Sequence, residues 1–251
     1  MPQHYLRRLT GKERTQAANR ELAFFLAFVA GAANAGGYLA VRQYTSHMSG
    51  VVSAMADNLA LGNGGLFLAG AEALGAFVAG AALTALLVNW GRRRNRQGAY
   101  AVPLVVEAVL LLVFGMIGHR WEEGTTLVVP ATVMLLCFTM GLQNAIITKL
   151  SNAEIRTTHV TGMVTDLGIE LGKALYFNRA AAKQQVVADW AKVRLLGSLV
   201  GSFFSGGMIG ALGFKYAGFG FTLPLAFVLL VLAAVPVIDD LRRPKSYSTA
   251  P

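Results

Sequence analysis

Charge is what this chain has least of. Only 14% of its 251 residues are charged, where a soluble domain carries about a quarter. A water-soluble globular domain is excluded on that ground. Acidic residues are scarcest, with 13 Asp and Glu against 22 Lys and Arg, a net charge of +9. One cysteine, Cys137, is present, which rules out an internal disulfide, and its apolar setting gives it a packing role. Missing too are a G-x-S-x-G elbow, an HExxH pair, a P-loop and any cluster at zinc-ligand spacing. Ser46 and His47 adjoin in sequence and so are poorly placed as nucleophile and base. The expectation is a protein that is not an enzyme, with no cofactor and no resident metal.

What is there instead is apolar. Hydrophobic residues make up 55% of the chain, and the mean hydropathy is +0.52. Crossing about 30 Å of hydrocarbon takes roughly 20 apolar residues. Six stretches meet or nearly meet that length: 21–41, 66–90, 101–118, 125–148, 195–214 and 219–238. With six crossings, alternate loops share a side. The leader, 91–100, 149–194 and the tail then hold 19 of the 22 basic residues, leaving Arg42, Arg120 and Lys215 opposite. That asymmetry is the positive-inside rule, with both termini cytoplasmic. It explains the basic character without nucleic acid as a partner.

Counting 45–62 and 158–175 as crossings would give eight. Arg92-Arg93-Arg94 would then lie outside, and Asp57, Asp166 and Glu170 would enter the bilayer at about 2.5–3.5 kcal/mol each. Six is the better count. Trp90, Trp121 and Trp190 sit near the ends of the stretches, at interfacial depth. Residues 1–20 read as a basic cytoplasmic leader and 239–251 as a cytoplasmic tail.

Within the apolar framework one motif occurs twice. Gly31-Ala-Ala-Asn34-Ala35 is followed by Ser46-His47-Met48-Ser49-Gly50, and Gly141-Leu-Gln-Asn144-Ala145 by Thr158-His159-Val160-Thr161-Gly162. Ala33-Asn34-Ala35 imitates a signal-peptide cleavage site, but the second copy at 144–145 makes it part of a structural motif. Downstream, Gly75-x-Phe77-x-x-Gly80 matches Gly201-x-Phe203-x-x-Gly206. Residues 21–118 and 125–238 therefore read as two versions of one three-span unit. Three is odd, so the second must be inverted relative to the first. Such repeats place their special segments near mid-membrane, with half-helix N-termini facing a shared site. Non-helical backbone there must line a cavity or be buried.

The motif residues suit a polar site. Asn34 and Asn144 donate, accept and cap broken helices. Ser46, Ser49, Thr158 and Thr161 supply hydroxyls, and His47 and His159 can take up a proton near neutral pH. Plainer roles compete with these. The glycines and alanines let helices approach closely, and the histidines serve as structural hydrogen-bonders. The ladders Ala71-x-x-x-Gly75-x-x-x-Ala79 and Gly197-x-x-x-Gly201-x-x-x-Ser205 read as packing seams. Glu72 and Glu107 each lie inside an apolar stretch, which makes them candidates for proton coupling. So is Asp166, although Asp166, Glu170 and Lys173 also share one helical face and read as a solvated rim.

The paired motifs resemble the YoaK family of uncharacterised bacterial membrane proteins, over roughly residues 20–240. Ser49-Gly50 stands where that pattern has Thr-Gly, keeping the hydroxyl. The resemblance implies a multi-pass protein of the bacterial inner membrane and gives no substrate. The whole reading is an all-α polytopic membrane protein of six helices in two inverted three-helix repeats, each with a broken or re-entrant motif segment. Its expected function is a small secondary transporter or permease for an unidentified solute or ion. The alternative is a membrane scaffold or sensor that binds anionic lipid or a cytoplasmic partner through its basic leader and the 173–194 loop. The bilayer, a solute or ion, and further copies of the chain are the partners this allows.

Overall fold

A computed structural model describes residues 2–11, 15–119, 128–151, 157–178 and 185–242. All regular structure among them is helical: α1 (Pro2–Thr10), α2 (Gln16–Val41), α3 (Met48–Ala60), α4 (Gly64–Arg93), α5 (Ala101–His119), α6 (Val128–Leu150), α7 (Val160–Leu175), α8 (Trp190–Ala217) and α9 (Thr222–Arg242). Trp121 and Arg120 lie outside the described residues.

Five helical segments are long and apolar enough to cross a bilayer: Gln16–Val41, Gly64–Arg93, Ala101–Gly118, Val129–Leu150 and Trp190–Arg242. The protein is therefore a helical membrane protein whose outer faces contact lipid. The last segment runs 53 residues, and the 3-10 turn Gly218–Phe221 divides it into α8 and α9. Gly218 makes that turn with φ of 57°, a conformation glycine reaches without strain. Phe114, Phe214, Phe219 and Phe221 pack edge-to-face or tilted around it.

Spanning helices pair across the chain more than along it. The principal packed pairs are α2 with α8, α4 with α6, and α5 with α9. Each of the first two crossings rests on reciprocal glycine–carbonyl contact. A Cβ on Gly31 would overlap the Phe203 carbonyl oxygen, and one on Gly206 the Phe28 carbonyl oxygen. On the other crossing, Gly80 meets the Phe138 carbonyl and Gly141 meets that of Phe77. In every case a Phe-x-x-Gly segment of one helix lies against the same segment of its partner. Without a hydrophobic force between helices in lipid, backbone approach of this kind supplies the association.

That result corrects the reading of the glycine ladders. Space around the Cβ positions of Gly75, Gly197 and Gly201 is open, so these glycines seam no helix pair within the chain. The seams lie elsewhere on the same helices, at Gly80 and Gly206.

Helix α1 docks on α9, with Leu9 and Thr10 fully buried and the Thr10 hydroxyl donating to the Leu232 carbonyl at 2.7 Å. Its Arg7 pairs with Asp239 at 2.6 Å, and Arg8 with Glu21 at 2.6 Å.

Candidate functional site

The two motifs build two copies of one local geometry. In the first, α2 continues unbroken through Asn34 to Val41 and stops at Arg42, which adopts a left-handed conformation (φ 57°) and bonds back to Tyr38. Tyr44 stacks on Tyr38 with centroids 4.7 Å apart, turning the chain back along the helix. Ser46 then reaches Asn34, its hydroxyl donating to Asn34 Oδ1 at 3.0 Å. Asn34 lies seven residues before the end of α2, a rise of about 10 Å. The connection therefore re-enters by that depth before α3 begins.

The second copy repeats this. Helix α6 continues through Asn144 to Leu150, six residues on, or roughly 9 Å. Thr158 returns to donate its hydroxyl to Asn144 Oδ1, and Asn144 Nδ2 donates to the Met140 carbonyl at 2.9 Å. Residues 152–156 of this connection lie outside the described residues. Neither asparagine caps a broken helix, so that expectation is corrected: a side chain inside a continuous helix anchors a re-entrant turn.

The short helices α3 and α7 start at His47 and His159 as N-caps, and neither histidine makes a side-chain cap bond. Each ring folds back over the glycine three residues on. A Cβ on Gly50 would overlap the His47 ring, and one on Gly162 the His159 ring. By contrast, α2 is capped by Thr15 and α8 by Asp189, which accepts from Ala191 N and Lys192 N. The first-turn N–H groups of α3 and α7 thus lack a cap side chain and carry partial positive charge beside two exposed hydroxyls, Ser49 and Thr161. Helix α3, with 13 residues, is about 20 Å long and too short to span. Its short turn Leu61–Asn63, with Gly62 at φ 76°, folds it against α4.

Among the described residues, the hydrogen bonds made by Asn34, Ser46, Asn144 and Thr158 stay within their own copy. Each copy also holds a residue not anticipated from sequence. Thr45 and Thr157, one position before Ser46 and Thr158, are fully buried, and their hydroxyls have no hydrogen-bond partner among the described residues. Their matched offset was the available signal.

The family comparison now decides the affiliation. The model for "Protein of unknown function (DUF1275)" matches residues 22–235. The chain belongs to the DUF1275 family. YoaK is a member of that family, in agreement with the motif resemblance. No curated protein and no solved structure gives a significant match. The DUF1275 match spans both motifs and all of α3 to α8.

The acidic candidates separate cleanly. Glu72 is exposed on α4. Asp166 is half-exposed and lies 3.4 Å from Lys192 Nζ. Glu170, expected on a solvated rim, is instead 2% exposed. It accepts from Lys173 Nζ at 3.0 Å and from Asp189 N at 3.0 Å, with Lys192 Nζ at 3.7 Å. The Asp189 N–H and the Lys173 ammonium hold its carboxyl below the usual carboxylate range. It clamps the start of α8 to α7, and that burial corrects the rim reading. Glu107 is fully buried between α5 and α6. Among the described residues no group of three or more His, Cys, Asp or Glu side chains could hold a metal ion.

Proposed function

We propose that this DUF1275 protein is a small secondary transporter or permease of the bacterial inner membrane. In this reading α8 and α9 cross separately, giving six spans in two inverted three-span units with both termini cytoplasmic. One observation carries it: in each copy an asparagine inside a spanning helix holds a re-entrant turn. That turn delivers an uncapped helix N-terminus about 10 Å below the end of the spanning helix. If the units are inverted, the two N-termini enter from opposite faces. Within about 30 Å of hydrocarbon, roughly 10 Å then remains between them. That gap is a short path lined by Asn34, Ser46, His47 and Ser49 from one side and Asn144, Thr158, His159 and Thr161 from the other. Helix N-termini favour an anion or a carboxylate group, as at the discontinuous helices of known transporter folds.

The scaffold reading has less to stand on. Two of the leader's basic side chains, Arg7 and Arg8, are already committed to Asp239 and Glu21, which leaves α1 a docking element more than a lipid-binding arm.

The test is water access at the two asparagines. In a Cys137→Ser background, Asn34→Cys and Asn144→Cys should each react with a small water-soluble thiol reagent in native membranes. Two inert cysteines in folded protein would remove the permease reading.

A further inference from the structure

We infer that Glu107, Gln143 and the Leu26 carbonyl form a proton-binding site where α2, α5 and α6 meet. Glu107 is fully buried, as is Gln143. The Gln143 amide uses both N–H groups, one to Glu107 Oε1 at 2.7 Å and one to the Leu26 carbonyl at 3.3 Å. What remains is two oxygens, Glu107 Oε2 and Gln143 Oε1, both buried and both without a partner. Were Glu107 ionised, the two unpaired atoms would both be acceptors, and its charge would lie fully buried at a helix junction. That is among the costliest arrangements a membrane interior can hold. One proton on Oε2 removes the charge and turns an orphan acceptor into a donor.

No side chain nearby can do this instead. On α6 the ionisable residues are Cys137 and Lys149, each six residues from Gln143. On α2, Arg20 and Glu21 lie at least five residues from Leu26, and Glu21 is taken by Arg8. On α9, Asp239 is bound to Arg7, and Asp240 accepts from Gln97 N and Gly98 N. Helix α4 brings Glu72 at one end and Arg92 and Arg93 at the other. On α5 itself the only other ionisable residue is His119, at the far end. Among the described residues no cation pairs with Glu107.

Position gives the site its interest. Gln143 directly precedes the motif residue Asn144, so α6 carries the proton site and the motif anchor side by side. The first copy has Ala33 in place of Gln143, so the site, which joins Glu107 and Leu26 of the first unit to Gln143 of the second, has no symmetry mate. A proton site without a symmetry mate, beside one motif anchor and not the other, would give proton coupling a place to act. This last step rests on the permease reading, whereas the protonation itself does not.

The experiment therefore reads protonation directly. Infrared spectra of the purified protein in lipid nanodiscs at pH 7 should contain a protonated-carboxyl carbonyl band that Glu107→Gln removes. Thermal melts supply the second readout. From the ordinary carboxylate range up to the pH at which the folded site deprotonates, the wild-type Tm should fall by roughly 3–5 °C per pH unit, one proton's linkage converted through unfolding entropy, and level off above it. Glu107→Gln should lack that slope, and Gln143→Leu should shift it while keeping the band. Absence of the band in wild-type protein, or a pH slope unchanged by Glu107→Gln, overturns the proposal. So does a saturable rise in Tm with sodium, but not choline, that depends on Glu107, because a metal cation would then neutralise the site. Inert cysteines at 34 and 144 beside an intact band would sink the permease reading alone.

Discussion

The two motif copies agree in their backbone and differ in their charge. Asn34 with Ser46 and Asn144 with Thr158 make the same bond, His47 and His159 cap the same way over Gly50 and Gly162, and Thr45 and Thr157 are the same orphans. The second copy alone adds Gln143, which bonds Glu107 of the first unit, and Glu170 with Lys173, Lys192 and Asp189. At the position of Glu170 the first copy has Asn58, whose amide bonds only within its own helix turn and to Asn63. Matched geometry with unmatched charge separates a shared scaffold from a specialised half. The scaffold makes the re-entrant turns, and the ionisable groups distinguish one end from the other.

The largest effect should come from breaking the scaffold. Gly80→Val and Gly206→Val each push a side chain into a partner's backbone carbonyl, which cannot move aside. Each should cost about 3 kcal/mol or more, or prevent folding, read as lost monodisperse protein on gel filtration. Gly75→Ala and Gly201→Ala, facing open space, should stay within about 0.5 kcal/mol. Equal damage from both pairs would mean that the outward ladders are also seams.

Next in size is the anchor. Asn144→Leu removes two side-chain bonds and Asn34→Leu removes the one to Ser46, so the second should be the milder. Interhelical bonds in membranes are worth about 0.6 kcal/mol on average and up to about 1.7. Thermal melts in detergent should rank Asn144→Leu below Asn34→Leu by roughly 1 kcal/mol or less.

The charge difference is tested with acid. Glu170 titrates below its ordinary value of 4.5 when folded, so its clamp is fully present above that pH. The clamp is lost as pH falls through the depressed value. Hydrogen-exchange protection near Asp189, relative to the intrinsic rate at each pH, should fall on acidification in wild-type protein and be low at all pH values in Glu170→Gln. The α3–α4 turn should show no matching transition.

The smallest effect is the most telling for the site. Thr45→Val and Thr157→Val delete buried hydroxyls without a partner among the described residues, so stability should change by under about 0.5 kcal/mol or improve. Loss of transport without loss of stability would place those hydroxyls on the path.

Much of the helix layout was legible in the sequence, because apolar length is a bilayer constraint written residue by residue. Where described, the six expected stretches fall on helices, with ends shifted by up to about five residues, and 125–127 lie outside the described residues. Motif duplication was readable for the same reason, since Asn34 and Asn144 keep a near-constant offset to their hydroxyl partners. The packing seams were not. Gly75 and Gly80 look alike in sequence, and only the crossing tells which one meets a carbonyl. The clue was Phe28 and Phe138, each three residues before a motif glycine, which complete a four-fold Phe-x-x-Gly pattern. Glu170 was misplaced because α7 alone presents it on a polar face, while α8 folds back to bury it. Gln143 escaped notice because its role depends on Glu107, 36 residues earlier.

The central claim is that the two matched turns open to opposite faces of the membrane. Ser49→Cys and Thr161→Cys in a Cys137→Ser background, probed with a membrane-impermeant thiol reagent on right-side-out and inside-out vesicles, test it directly. The account predicts that position 49 labels only from outside and position 161 only from the cytoplasmic side. Labelling of both from the same side would contradict it.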